Sequence, residues 1–132
     1  MVVVDTTVWV DFFAGRSTSQ ARRLKSLIEE GEDVALCGVI LAEILQGIKA
    51  DAQCARLESI LRSFLFLDMS RETFLSAAHI YRSLRAQGVT IRNSADCMIA
   101  ACCIENGAQL LHNDRDFDAI ASHAKLECVD IA

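Results

Sequence analysis

Apolar residues fall along this chain in two rhythms. Short unbroken runs read as strands: residues 2–4, "DVALC" at 33–37 and "QLLH" at 109–112, all buried, with "FLFLD" at 64–68 as a strand candidate and "LECVDI" at 126–131 as a last strand. Between them the apolar positions return every three or four residues, or fill a segment nearly all round, and predict helices. These are "TTVWVDFFAG" at 6–15, "STSQARRLKSLIEEG" at 17–31, "GVILAEILQGIK" at 38–49, "DAQCARLESILRSF" at 51–64, "SRETFLSAAHIYRSLRAQG" at 70–88, "SADCMIAACCIENG" at 94–107 and "DRDFDAIASHA" at 114–124. Ser70 and Ser94 are expected as N-caps, and Gly31 and Gly88 as C-caps. The helix at 38–49 is expected to be buried all round. Strands alternating with helices predict an α/β fold with a parallel sheet covered on both faces.

With 132 residues, 52% of them apolar and 23% charged, the chain is expected to fold as one domain over 1–132 with its own core. The longest apolar runs, at 35–42 and 97–104, are too short to cross a bilayer. No signal peptide is expected ahead of the first strand, and no membrane association. The six cysteines sit mostly in apolar segments and form no C-x-x-C pair, so free thiols in a reducing cytoplasm are expected. A net charge of −5 argues against broad non-specific nucleic-acid binding, but not against a local acidic site that holds a cation.

The acids are placed unusually. Asp5 ends the first strand, and Asp114 follows the "QLLH" strand. Ligands of open α/β sheets bind outside the carboxyl ends of the strands, so these two converge if their strands are neighbours. Glu43 lies in the middle of an almost wholly apolar helix, with no basic residue three or four positions away. Asp96 lies in the first turn of another apolar helix. Each has a structural explanation as well. Asp5 and Asp114 are placed to cap helices, and Asp96 to favour a helix dipole. Glu43 has the weakest such explanation, because a buried carboxylate without a partner costs several kcal/mol. Together the four point to oxygen ligation of a hard cation, Mg²⁺ with Mn²⁺ as an alternative, in phosphodiester hydrolysis. No Gly-rich phosphate loop is present to suggest nucleotide triphosphates.

Four segments in order, "VVVDTTVWVDFF", "AEILQGI", "RNSADCMIAA" and "LLHNDRDFDAIA", resemble the PIN-domain ribonucleases, and most of all the VapC-type toxins of bacterial toxin–antitoxin pairs. The resemblance covers the whole chain. It implies a three-layer α/β/α sandwich with a mainly parallel sheet, a homodimer, and cleavage of single-stranded RNA. It also implies a VapB-like antitoxin partner that blocks the site with a basic side chain. By position, Asp5, Glu43, Asp96 and Asp114 form the catalytic quartet, with Asp5, Asp96, Asp114 and Asp116 around the metal. Thr7, Asn113 and Ser94 are supporting polar residues; Ser94 stands where relatives often have threonine. The resemblance further implies that Glu43 orients or deprotonates water, that water attacks phosphorus in line, and that 5′-phosphate and 3′-hydroxyl ends result.

Arg92 and Arg115 flank the acids and are candidates to contact substrate. His112 is expected to be structural, and His79 and His123 form no metal pair with it. Trp9, Phe12 and Phe13 have the chemistry to stack bases, but their spacing favours packing. Two other functions compete. A non-catalytic PIN-fold binding module would be expected to have lost acids, and all four are present. A phosphatase with an aspartate nucleophile needs D-x-D after the first strand, where this chain has "DTT".

Overall fold

A computed structural model describes residues 1–131. Four parallel strands form the sheet: β1 (Val2–Val4), β2 (Val34–Cys37), β3 (Leu65–Leu67) and β4 (Gln109–Leu111), in the order β3-β2-β1-β4. Seven helices connect and cover them: α1 (Thr6–Phe13), α2 (Ser19–Glu29), α3 (Gly38–Gln46), α4 (Asp51–Leu61), α5 (Arg71–Ala86), α6 (Ala95–Glu105) and α7 (Arg115–His123). Parallel strands demand such crossovers, because no tight turn can join their ends. This is the PIN-like α/β arrangement expected.

Strand side chains alternate between faces, yet Val2, Val3 and Val4 are all buried, as are all the residues of β2. Both faces of the sheet centre are therefore covered by helices. The core joins these strands to Trp9, Leu24, Ile40, Ile99, Phe117 and Ile120. α6 is the most enclosed helix, with Cys97, Ile99, Ala100, Ala101, Cys102 and Cys103 all buried. Gly107 closes it in the left-handed region (φ 62°), which lets the chain turn at once into β4.

Two expectations are corrected. The segment 126–131 forms no full strand; it meets the sheet through a single bridge between Leu110 and Cys128. α3 is not buried all round. Ile40 and Ile44 enter the core, whereas Val39, Leu41 and Leu45 are only half-buried. The strand candidate at 64–68 is present as β3, an exposed edge strand with Phe66 52% accessible. Among the described residues no helix is long and apolar enough to cross a membrane.

Candidate active site

β1 and β4 are hydrogen-bonded neighbours, with Val4 opposite Leu111. The next residue along β1 keeps the pairing: the Asp5 N–H donates to the Leu111 carbonyl at 2.9 Å. Two parallel strands in this register open their carboxyl ends on the same edge of the sheet. Asp5 leaves one end, and Asp114 leaves the other three residues beyond β4. Asp5 occupies the N-cap position of α1, but its side chain makes no capping bond. Its Oδ2 accepts instead from the Thr7 hydroxyl, at 3.4 Å. Asp114 does cap, taking the Asp116 N–H at 2.9 Å, so the structural explanation holds for that residue alongside any chemical one.

The other two acids arrive from helices that begin at the same edge. α3 starts directly after β2 and sets Glu43 in its second turn. The donor that satisfies Glu43 is a hydroxyl, not a cation: Thr6 donates to Oε1 at 2.7 Å. Asp96, in the first turn of α6, is 8% exposed. All four meet in one cavity of about 300 Å³, walled by Asp5, Thr6, Thr7, Glu43, Arg92, Asn93, Asp96, Asp114 and Asp116.

Crowding shows in the acids' affinity for protons. Burial pushes Asp5 up to about 6, helped by the neighbouring charges of Glu43 and Asp114. Burial pushes Asp96 up to about 7, and the charges of Asp5, Asp114, Asp116 and Glu43 add to it. One cation relieves part of the load. Arg92 donates from Nε to Asp116 at 3.1 Å and from Nη2 to Asp114 at 3.2 Å, and its own pKa rises in consequence.

This donor set fits a hard divalent cation. Oxygens of Asp96, Asp114 and Asp116 lie within 4.8 Å of one another, an all-oxygen set of the kind hard cations take. Asp116 belongs to this tight trio, and Asp5 stands beside it in the same cavity.

Not every expected residue is brought in. Ser94 lines a different hollow, with Tyr81 and Met98, and its hydroxyl caps nothing. Asn93 takes the capping role by accepting the Ala95 N–H at 3.0 Å, and it lines the acid cavity. Asn113 and Arg115 face another cavity on the far side of Asp114, because the turn between β4 and α7 carries them past the edge. Thr6 and Asn93 are the additions that sequence reasoning passed over. His112 has the structural role expected: its Nδ1 accepts the Asp114 N–H at 3.1 Å, and burial lowers its pKa. Trp9 is fully buried, stacked on Phe13 and edge-on to Phe64, so it packs rather than presenting a face to bases.

Comparison with known proteins bears on the family and the fold. The PIN-domain profile matches residues 2–122. A VapC ribonuclease of Mycobacterium bovis and ribonuclease VapC11 of Mycobacterium tuberculosis are each 36% identical over 129 residues, covering 96% of both chains. Among solved structures, VapBC2 of Rickettsia felis, bound to a fragment of promoter DNA, superposes with a TM-score of 0.78. It is 22% identical and covered over 98% of each chain. VapC20 of Mycobacterium tuberculosis, a toxin that cleaves the sarcin–ricin loop, superposes with a TM-score of 0.67 at 16% identity. The match covers 96% of this chain and 98% of that one. At these identities the structural likenesses speak for the fold.

Proposed function

The chain belongs to the PIN-domain family, and from that premise we propose that it is a metal-dependent endoribonuclease, the toxin of a type II toxin–antitoxin pair. The observation that carries the reading is the single cavity in which Asp5, Glu43, Asp96, Asp114 and Asp116 converge. A phosphodiester is stable at neutral pH, and its hydrolysis needs a positioned water and a counter-charge for phosphate. Asp96, Asp114 and Asp116, with Asp5 beside them, would hold Mg²⁺, or Mn²⁺ in its place. When bound, the cation lowers the pKa of water and neutralises charge on the phosphate. Glu43, fixed by Thr6, orients the attacking water and takes its proton. Thr7 steadies Asp5. Arg92 stands at the mouth, 67% exposed at its side chain, where it meets the incoming phosphate. Bond cleavage leaves a 5′-phosphate and a 3′-hydroxyl.

The same reading gives the partners. The cavity walled by Leu41, Leu61, Phe64 and Phe66, about 330 Å³, offers apolar surface to an antitoxin segment. Phe74 and Leu75, 43% and 54% exposed on α5, offer a second face for a homodimer. The protein acts as one PIN-like unit over 1–132 in the cytoplasm, where RNA and antitoxin are made. A purely binding PIN module is disfavoured because no acid of the cavity is missing.

The test is expression of the chain alone, followed by incubation of the purified protein with single-stranded RNA in Mg²⁺, Mn²⁺ or EDTA. Growth arrest and metal-dependent cleavage are expected. Unimpeded growth with soluble, folded protein and intact RNA would overturn the reading.

A further inference from the structure

The surface does not close beyond Asp114. The acid cavity shares that residue with a second hollow of about 450 Å³, which includes Gln20, Asn113, Arg115 and Asp118. The second shares Asp130 and Ile131 with a third, of about 440 Å³, lined by Ser19, Arg22, Arg23 and Ser26 on α2. Three adjoining hollows thus make one trough from the acids to the first turns of α2.

Charge changes along it. Elsewhere several cations are already engaged: Arg16 with Asp11, Lys25 with Glu29, Arg62 with Glu58 and Arg92 with Asp114 and Asp116. Arg22, Arg23 and Arg115 have no carboxylate within 4.0 Å among the described residues, a state they share with Lys49, Arg56, Arg71, Arg82, Arg85 and Lys125. What sets them apart is that they line the hollows that run on from the acid cavity, and Arg22 binds only the Ser17 carbonyl and the Ser19 hydroxyl. On a chain of net charge −5, guanidinium groups left free along one groove are what a polyanion finds. The middle of the trough is different in character. Gln20 and Asn113 offer amide donors and acceptors, and the exposed Asp118 carboxylate accepts from a sugar hydroxyl or a base amino edge. A 2′-hydroxyl supplies such a donor and deoxyribose does not.

We propose that single-stranded RNA flanking the scissile phosphate lies in this trough, its phosphates held by Arg22 and Arg23 and its sugars and bases over Gln20, Asn113 and Arg115. The assignment rests on the ribonuclease reading and extends it by a path and a polarity of contacts. Arg22 and Arg23 are remote from the acids, so they bind strand without touching the reacting atoms. Their contribution belongs in KM and in salt dependence, not in kcat.

The experiment measures cleavage of a mixed-sequence, fluorogenic single-stranded RNA in Mn²⁺ over a series of salt concentrations. The wild type is compared with Arg22→Ala/Arg23→Ala, with Arg56→Ala/Arg71→Ala as a pair of equal charge change on α4 and α5, and with Asp130→Asn. For the first variant KM should rise several-fold at unchanged kcat, and the slope of log kcat/KM against log salt should flatten by about two. Asp130→Asn, which removes a carboxylate shared by two of the hollows, should lower KM. The α4/α5 pair should behave as wild type. Thermal melts with and without Mn²⁺ should show the same metal-induced shift in every variant. A wild type that cuts no RNA sinks the ribonuclease reading and this one together. A wild type that cuts RNA while Arg22→Ala/Arg23→Ala keeps its KM and slope overturns the trough alone. So does an equal loss in the α4/α5 pair, or a loss of kcat and of the Mn²⁺ shift in the α2 pair.

Discussion

Thr6 and Glu43 are joined across 37 positions of sequence by one hydrogen bond, in which the threonine hydroxyl donates to the glutamate Oε1 at 2.7 Å. The bond ties α1 to α3 and holds the half-buried carboxylate in one orientation. Thr6→Val keeps the shape and removes the donor. It should cost about 1 kcal/mol of stability and lower kcat by at least tenfold, with little change in KM. Thr6→Ser should restore most of the activity. A Thr6→Val enzyme with full kcat would mean that Glu43 needs no positioning.

Asp96→Asn should abolish or greatly reduce RNA cleavage and yet leave the metal-free protein as stable as wild type or more so. The reason is the direction of its shift: burial first, then four neighbouring carboxylates, hold Asp96 up at about 7. A neutral amide escapes that strain. Mn²⁺ should raise the melting temperature of wild type and raise that of the variant much less. An Asp96 that merely favours the start of α6 predicts the reverse, a variant less stable in EDTA that keeps the full metal-induced shift.

Stability of the metal-free protein should fall as pH rises from about 5 to 7.5. Asp5 and Asp96 have folded-state values of about 6 and about 7 against an ordinary 3.8. Between these limits the folded chain binds more protons than the unfolded one, so their protonation favours folding at the acid end. Melting in EDTA should therefore occur several degrees higher at pH 5.5 than at pH 7.5. Mn²⁺ should show the opposite trend, its stabilising shift growing with pH as the carboxylates give up protons. A flat or inverted EDTA profile would refute the shifts.

Arg92→Ala should tighten Mn²⁺ binding, measured by calorimetry, because the guanidinium and the cation compete for the same oxygens of Asp114 and Asp116. RNA affinity should fall in the same variant. Unchanged Mn²⁺ affinity would mean that Arg92 swings clear without cost.

All six cysteines are free: Cys37, Cys97, Cys102 and Cys103 are buried, and Cys54 and Cys128 partly so. The neighbouring Cys102 thiol lowers Cys37, while burial raises Cys97, Cys103 and Cys128. Alkylation of the native protein should be fast only at Cys54 and Cys128 despite the acidity of Cys37, since burial denies access to it. After unfolding without reductant, mass spectrometry should find every cysteine modified. Protected pairs in fresh protein would contradict this.

The chain displays its main design openly and hides what depends on distant contacts. Asp5 and Asp114 are legible because each breaks an apolar strand at its carboxyl end, and Glu43 because it interrupts an apolar helix. The Thr6 partner is not legible: Thr6 and Thr7 are adjacent, and only the packing of α1 on α3 decides which hydroxyl meets Glu43. Asn93 and Ser94 are both good capping residues, so sequence cannot choose between them, and the backbone awards the role to Asn93. Arg115 and Asn113 are close in sequence to the acids, but the turn into α7 points them elsewhere. Apolar residues of α3 reveal that something covers them, not whether the cover is this chain's own core. The segment at 126–131 has the composition of a strand, yet only one of its residues bridges to β4.

The pairing of the first strand with the last has a consequence for when the site forms. β1 is translated ahead of its neighbour β4, which begins at Gln109. Until β4 and the turn after it have emerged, Asp5 faces no Asp114. A nascent or prematurely terminated product therefore lacks Asp114 and Asp116 and cannot complete the acid cavity, however well its earlier helices have formed. Such a long-range closure is slow to find in folding. That delay separates the end of translation from the first appearance of the acid cavity, so the last segment made decides when the site exists at all.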